Sequence, residues 1–417
     1  MLVAGLALFA LPALGQDLPE GVRPERLYLN PSGVLLGSSR VIALGGAFVG
    51  VAEGAAGFSS NLAALAHRSA HLDRDWDVGF TASWLDLPFF NPTRRDLDND
   101  GVADQAQDTR QFLGGLMLQY KQFGIGWYLR ETRLTFCKLT GVECRANVAQ
   151  DVIAVDVSNT ALAGAVALGR DDLILALGLY GALATFGTGA EAKSYGDTGV
   201  EFDVLYRPHG LNYRVGVSVR PQVVGYYRPK PTDGAFLGER QLYSAVVSPA
   251  VLSLGGSIRL GDGAELYNRY SKAARRDILA RFGEAGAPEE VPDEAPAGSW
   301  LVTAQLDLIS ATENTVPISA FTDLDVQTGL RQAELVGRET TLAPHLGVEH
   351  DTIPGRLRTR VGTFVEPSPF RGRGPRVHGT CGLELFVYEY WDKWSISAAG
   401  DFALHYYNVG LSLGFWR

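Results

Sequence analysis

From Trp76 to the C-terminal end, the sequence returns repeatedly to one pattern, in which apolar or aromatic residues take every second position and polar residues or glycine stand between them. Trp76, Val78, Phe80, Ala82 and Trp84 alternate with Asp77, Gly79, Thr81 and Ser83. Phe123, Ile125, Trp127 and Leu129 alternate with Gly124, Gly126, Tyr128 and Arg130. The runs Leu211–Arg220 and Tyr407–Phe415 repeat the pattern. A period of two puts the two sets on opposite faces of a β-sheet and does not fit a helix. The second face is polar or glycine rather than merely less apolar. In a soluble sandwich that face meets water; in a membrane barrel it lines the lumen while the apolar face meets lipid. Alternation alone leaves both open.

Connection lengths separate them. Long gaps between strand-like runs fall near 88–110, 134–149, 187–198, 229–243, 277–298, 324–339 and 367–376. Short ones fall at Gln122 and near 169–171, 208–210, 261–263, 311–314, 351–355 and 391–393. Short turns on one rim and long loops on the other mark a transmembrane barrel, whereas Greek-key connections have no reason to keep that parity. Counted this way, the strands number nearer sixteen than fourteen. Closure has a physical motive, because open edges with so many apolar faces would aggregate and lipid cannot satisfy their amides. Pro221, Pro249 and Pro344 each remove a ladder donor and are expected at strand ends or bulges. The best helical spans, 41–66 and 173–187, are respectively broken by Glu53 and several glycines, and too short for a bilayer.

The apolar run Leu2 to Leu14 ends in Ala13-Leu14-Gly15, the small-residue ending of a signal peptide, although no Lys or Arg precedes it. A buried N-terminal strand or helix is the alternative. The expected division is a leader at 1–15, an N-terminal plug at 16–70 and a barrel at 71–417. Cys137 and Cys144 bracket a polar stretch that a loop disulfide can close in an oxidising compartment. Cys381, in a strand-like run, reads as a buried inert thiol.

The stretch from Arg40 to Ala66 carries Gly45-Gly46-Ala47, then Glu53-Gly54, then Asn61-Leu62-Ala63-Ala64-Leu65. It resembles the N-terminal signature of the FadL/PorV-type outer-membrane transporters, a Gly-Gly-Ala stretch, an acidic pair and an Asn-Pro-Ala-Gly-Leu ending. Here Glu53-Gly54 replaces the acidic pair and Leu62 replaces the proline. A second likeness runs through 347–369, an alternating hairpin entering Pro367-Ser368-Pro369. The closing Phe415-Trp416 is similar to the aromatic-ended last strand that barrel-assembly machinery reads, with Arg417 added. The resemblance implies fourteen antiparallel strands around a lumenal hatch that includes Gly45, Gly46, Ala47, Glu53, Asn61 and Leu62. It also implies a place in the bacterial outer membrane and passage of hydrophobic small molecules, such as long-chain fatty acids. An interaction or shuttle barrel of the PorV kind, binding secreted proteins, is the alternative from another class; a structural porin-like barrel is the third.

One local motif stands apart. Asp96, Asp98 and Asp100 are spaced so that a tight turn gathers three carboxylates, Gly101 permits the bend, and the Val102 carbonyl and Asp104 can complete the set. Hard oxygen ligands suit Ca²⁺, although Gln107 stands where a bidentate glutamate would close an EF-hand. A solvated acidic loop offset by Arg94 and Arg95 is the plainer reading. In the first long loop a cation would be a structural clip.

Enzyme motifs are lacking: no His-Glu-x-x-His, no Gly-x-Ser-x-Gly elbow and no phosphate-cradling Gly-Lys-Ser loop occurs. The net charge of −9 and the missing basic stripe argue against nucleic acid. Arg356, Arg358 and Arg360 alternate with apolar or small residues and offer either an anion-attracting lumenal wall or a solvated face.

Overall fold

A computed structural model describes residues 22–29, 37–69, 72–87, 95–102, 108–137, 152–187, 192–227, 236–237, 240–283, 298–389 and 393–415. The proposed leader, Asp104 and Cys144 lie outside the described residues, as does the side chain of Cys137, so the disulfide and part of the cation loop do too.

The described part of the chain opens with strand β1 (Arg23–Tyr28) and two short helices, α1 (Ser39–Ala43) and α2 (Gly54–Gly57). The wall then starts with β2 (Trp76–Leu85), β3 (Asp108–Tyr120), β4 (Phe123–Cys137), β5 (Val152–Leu168), β6 (Leu173–Phe186), β7 (Lys193–Tyr206) and β8 (Tyr213–Arg220). Four strands leave the wall: β9 (Val223–Tyr226), β10 (Phe236–Leu237), β11 (Arg240–Gln241) and β12 (Tyr243–Ser248). The wall resumes with β13 (Val251–Leu260), and helix α3 (Lys272–Phe282) precedes β14 (Trp300–Ile309). A short β15 (Thr315–Pro317) is followed by β16 (Thr341–Ile353), β17 (Leu357–Glu366), β18 (Arg376–Glu389), β19 (Lys393–Ala403) and β20 (Tyr406–Phe415).

Fourteen of these strands form one closed antiparallel barrel, sealed where β20 meets β2 and β8 meets β13. Two runs counted as strands in the sequence do not belong to it. Residues 264–276 fold as a 3-10 turn and the start of α3, capped by the Ser271 side chain on the Ala274 N–H. Residues 315–317 pair instead with β1. The expected parity of connections holds except twice: α3 lies on the otherwise short-turn rim, and β19 returns to β20 through Leu404–His405 on the long-loop rim. Pro221 and Pro249 follow strand ends as expected, but Pro344 is inside β16. It is tolerated at the margin of the β16–β17 ladder, whose pairing begins only at His345↔Phe364.

The two faces separate by chemistry. Trp76, Trp84, Leu116, Phe123, Ile125, Leu162, Leu179, Val361 and Ile396 point outward and are exposed, while Asp77, Ser83, Gln119, Tyr128 and Asp203 point inward and are buried. So continuous an apolar belt far exceeds the patches that water-soluble monomers tolerate, and a bilayer is its solvent. Cys381 shares the outward face, so it is exposed rather than buried, because register with Val361 on β17 fixes its side of the sheet. Among the described residues no helix is long and apolar enough to cross a membrane; strands do the crossing.

Inside the long-loop end sits a second sheet of order β15-β1-β12-β9. The N-terminal strand β1 lies parallel between β12 and β15, with Leu27 beside Val246 and Val316. Leu27, Leu29, Tyr243, Val246 and Phe321 pack in one apolar cluster with Phe136, Val155 and Phe186 from the barrel wall. This cap covers part of the lumen from above.

Candidate functional site: a cavity between plug and cap

Residues 37–69 lie within the barrel, against strands on every side. The Ser38 hydroxyl accepts from the Val41 N–H and starts α1. The backbone then turns at Gly45 and Gly46, with φ of 63° and 81°, which a residue with a Cβ adopts only under strain. The wall makes matching room. A Cβ at Gly216 would stand 2.0 Å from the Val49 carbonyl oxygen, and one at Gly124 would stand 1.9 Å from that of Leu65. The inner-face glycines of the strands thus admit plug backbone directly against wall backbone.

Plug carbonyls and amides, cut off from water, find partners on the strands, as buried backbone groups must. Thr303 donates to the Ala47 carbonyl at 2.8 Å, Ser257 to Gly50 at 2.8 Å, and His345 Nδ1 to Gly45 at 2.7 Å. Gln305 Oε1 accepts from both Phe48 and Val49 N–H at 3.0 Å. Asn61 donates to the Val49 carbonyl at 2.8 Å and accepts from the Ala63 N–H at 2.9 Å. The Leu62 N–H donates to Asp203 at 2.5 Å. Proline at 62 would remove that bond, which gives the missing family proline a local reason.

A chain of alternating charge ties plug to wall. Arg214 pairs with Glu53 at 2.7 Å, Glu53 with Arg40 at 2.9 Å, Arg40 with Glu349 at 2.9 Å and Glu349 with Arg360 at 2.6 Å, and Arg360 continues to Glu384. Burial pushes the Glu53 carboxyl upward, but the guanidiniums of Arg214 and Arg40 outweigh it and hold the group well below the usual carboxylate range. Arg360 and Arg358 are therefore neither an open anion-attracting wall nor a solvated face. Arg358 pairs with Asp351 at 2.6 Å, and Arg360 is buried between two carboxylates.

Above the plug and below the cap is a cavity of about 250 Å³. Tyr28, Leu29 and Ile318 roof it, Leu134, Phe136 and Val157 give an apolar side, and Val41, Gly46, Val49 and Ser59 floor it. Lower on the wall the lining turns polar with Gln111, Arg130, Asn159 and Arg220. Arg130 donates to the Ser59 carbonyl, and Arg220 pairs with Glu201 at 2.9 Å. Gln111 Nε2, Arg130 Nε and Arg220 Nε are buried nitrogens without a protein partner. The site can take an apolar body above and hydrogen-bond acceptors below.

The Asp-rich loop reaches the same cavity, where Leu97 and Asp98 join the lining. One carboxylate oxygen from each of Asp96, Asp98 and Asp100 lies within 4.8 Å of the others. Asp96 also accepts the Asp100 and Gly101 N–H groups at 3.1 and 3.0 Å, and Val102 is exposed. Burial, then the charges of Asp100 and Asp96, push the Asp98 carboxyl up to about 7. A divalent cation would relieve this crowding; Asp96 is also met by the Arg376 guanidinium at 3.4 Å.

The expected hatch residues Gly45, Gly46, Ala47, Glu53, Asn61 and Leu62 lie in the 37–69 segment, which contacts inward-facing wall groups such as His345, Thr303, Arg214 and Asp203. Sequence reasoning missed Arg214 and Glu349, which bind the plug from strands far along the chain, and Glu384, which meets Arg360 on the wall. It also missed the cap and the cavity-lining Arg130 and Arg220. Their only signal was position on the polar face.

The assembly defines a membrane-spanning barrel plugged by its own N-terminal segment. No family model matches the sequence, and comparison with curated proteins finds no match. Solved structures do. The CymD monoaromatic hydrocarbon channel aligns with a TM-score of 0.51 at 9% identity, over 93% of this chain and 97% of that one. The Pseudomonas putida toluene transporter TodX aligns at 0.48 and 10% identity, over 94% and 98%. The likeness to CymD is one of fold: the FadL-like barrel of fourteen strands that the N-terminal motif implies is the fold found.

Proposed function

We propose that this barrel passes hydrophobic small molecules across the bacterial outer membrane, reached through an N-terminal leader, and that its ligand is an amphiphile with a hydrogen-bond-accepting head. CymD and TodX, named for monoaromatic hydrocarbon and toluene, support the hydrophobic part. The finer part is supported by the cavity's apolar upper wall over the polar side chains of Gln111, Arg130, Asn159 and Arg220. An unsubstituted hydrocarbon would offer those side chains no hydrogen bond, at a cost of about 1–3 kcal/mol each where water is excluded. A carboxylate or carbonyl head, as on a long-chain fatty acid, would meet them. The role is passage rather than catalysis.

The test is uptake of paired ligands, a long-chain carboxylate and the alkane of equal length, by cells with and without the protein. Carboxylate uptake should fall on deletion and fall about tenfold in Arg130→Met, with the alkane less affected. Equal uptake of both ligands with and without the barrel would remove the transport reading. Equal loss of both in Arg130→Met would remove the head-group reading alone.

The Asp96, Asp98 and Asp100 loop is proposed to hold Ca²⁺ as a structural clip on the cavity's upper edge. Isothermal titration of the purified barrel with Ca²⁺ checks it, and an unaltered heat in Asp98→Asn would refute it.

A further inference from the structure

The roof and the floor of the cavity are made by the same stretch of chain. Tyr28 and Leu29 close it above, Val41, Gly46, Val49 and Ser59 close it below, and residues 30–36 join the two. The cap itself is two halves. On one side β12 pairs with β9, and β9 leans on the wall, with Tyr227 bridged to Tyr195 of β7. On the other, Thr315 of β15 bridges to Val336, and Val336 to Phe370. Each half is held by its own part of the barrel. Among the described residues β1 is the one strand that ladders to both. The halves also meet in the shared apolar cluster, Tyr243 and Val246 with Val316 and Phe321, and through contacts of Arg240, Gln241 and Tyr243 with the 319–327 turn.

From this we infer that β1 is the removable strand of an outer gate, and that its withdrawal opens a slot between the cap halves directly over the cavity. The inference rests on the transport reading. Its physical basis is an asymmetry of attachment. β1 is held by short parallel ladders, by part-buried hydrogen bonds from Arg23 to Gln241, Val326 and Gln327, and by Leu27 and Leu29 in an apolar cluster. The plug that follows is held by buried charge pairs and hydrogen bonds with fixed geometry. Displacement of the N-terminal segment therefore begins at β1. A ligand entering from the long-loop side meets an opened roof over an intact floor, and the membrane stays sealed.

The experiment locks the strand. Leu27 and Val246 are ladder partners and share the same apolar cluster, so Leu27→Cys with Val246→Cys can be joined by oxidation and released by reductant in one folded protein. Heat-modifiable gel migration confirms the barrel in both states. Uptake of the long-chain carboxylate should fall about tenfold on oxidation and return on reduction. Equal uptake in both states overturns the gate while leaving transport standing; no uptake in either state, nor in wild type, strikes at transport instead. A ligand-free measurement covers that outcome. In wild type, hydrogen exchange at the Leu27 and Val246 amides should be about a hundredfold faster than in the β4–β5 ladder, and the oxidised bridge should slow it. Exchange as slow as the wall's would overturn the gate whatever the uptake.

Discussion

The floor and the roof of the lumenal cavity are built on opposite principles. The floor is fixed by directional contacts: Glu53 sits between Arg40 and Arg214, and carbonyls of Gly45, Ala47 and Gly50 each have an assigned donor on the wall. The roof is a cluster of Leu27, Tyr243, Val246, Val316 and Phe321 against barrel side chains, with few charges in it. Buried charge pairs tolerate one arrangement and are costly to half-break; apolar packing degrades gradually and can re-form after sliding. One end of the lumen is specified for permanence and the other for repeated opening.

Substitutions at the two ends should therefore fail differently. The largest effect is expected from Glu53→Gln, which leaves buried Arg214 without its carboxylate and Arg40 with Glu349 alone, and should cost the plug about 3 kcal/mol. Leak of a large antibiotic through the outer membrane is the readout, and a wild-type barrier would contradict the ranking. Phe321→Ala comes next, with about 3 kcal/mol lost from the cap cluster. It should speed hydrogen exchange in β1 and β12 while the antibiotic barrier holds; leak here would erase the distinction. The smallest effect concerns pH. The Asp98 carboxyl is raised to about 7, so the folded loop binds more protons than the unfolded chain between its ordinary range and that value. Cation-free loop stability should fall as pH rises through that window, and Ca²⁺ affinity should climb and level off above it. A flat Ca²⁺ affinity from pH 5 to 8 would show that Asp98 is not a ligand. No such dependence is expected of the floor, because Glu53 titrates only at strongly acid pH.

Much of the wall was legible because a barrel strand declares both faces residue by residue: Trp76 and Phe80 to lipid, Asp77 and Thr81 to the lumen. The error at 264–276 came from weighing alternation above local signals. Ser271 before Lys272-Ala273-Ala274, with Ile278 one turn on, is a capped helix start, and its apolar residues follow helical spacing. The cap was not legible, since its strands are a few residues long and pair across the chain, Arg23 with Tyr243 and Tyr28 with Pro317. Short apolar runs such as Tyr243–Ser248 do not say whether they continue the wall or leave it. The charge chain was hidden for a different reason. Arg40 and Glu349 are single polar residues in separate elements, and only closure of the ring brings them together.

The glycine seats under the plug bear on how the molecule is put together. With wall backbone so near the Val49 and Leu65 carbonyls, even a methyl group on Gly216 or Gly124 would collide and lift the N-terminal segment from its seat. Docking of the N-terminal stretch depends on glycine at Gly124 and Gly216, positions outside the seam where β2 and β20 zip along their six paired residues. Alanine at either glycine is expected to loosen the seal while the seam between β2 and β20 stays paired.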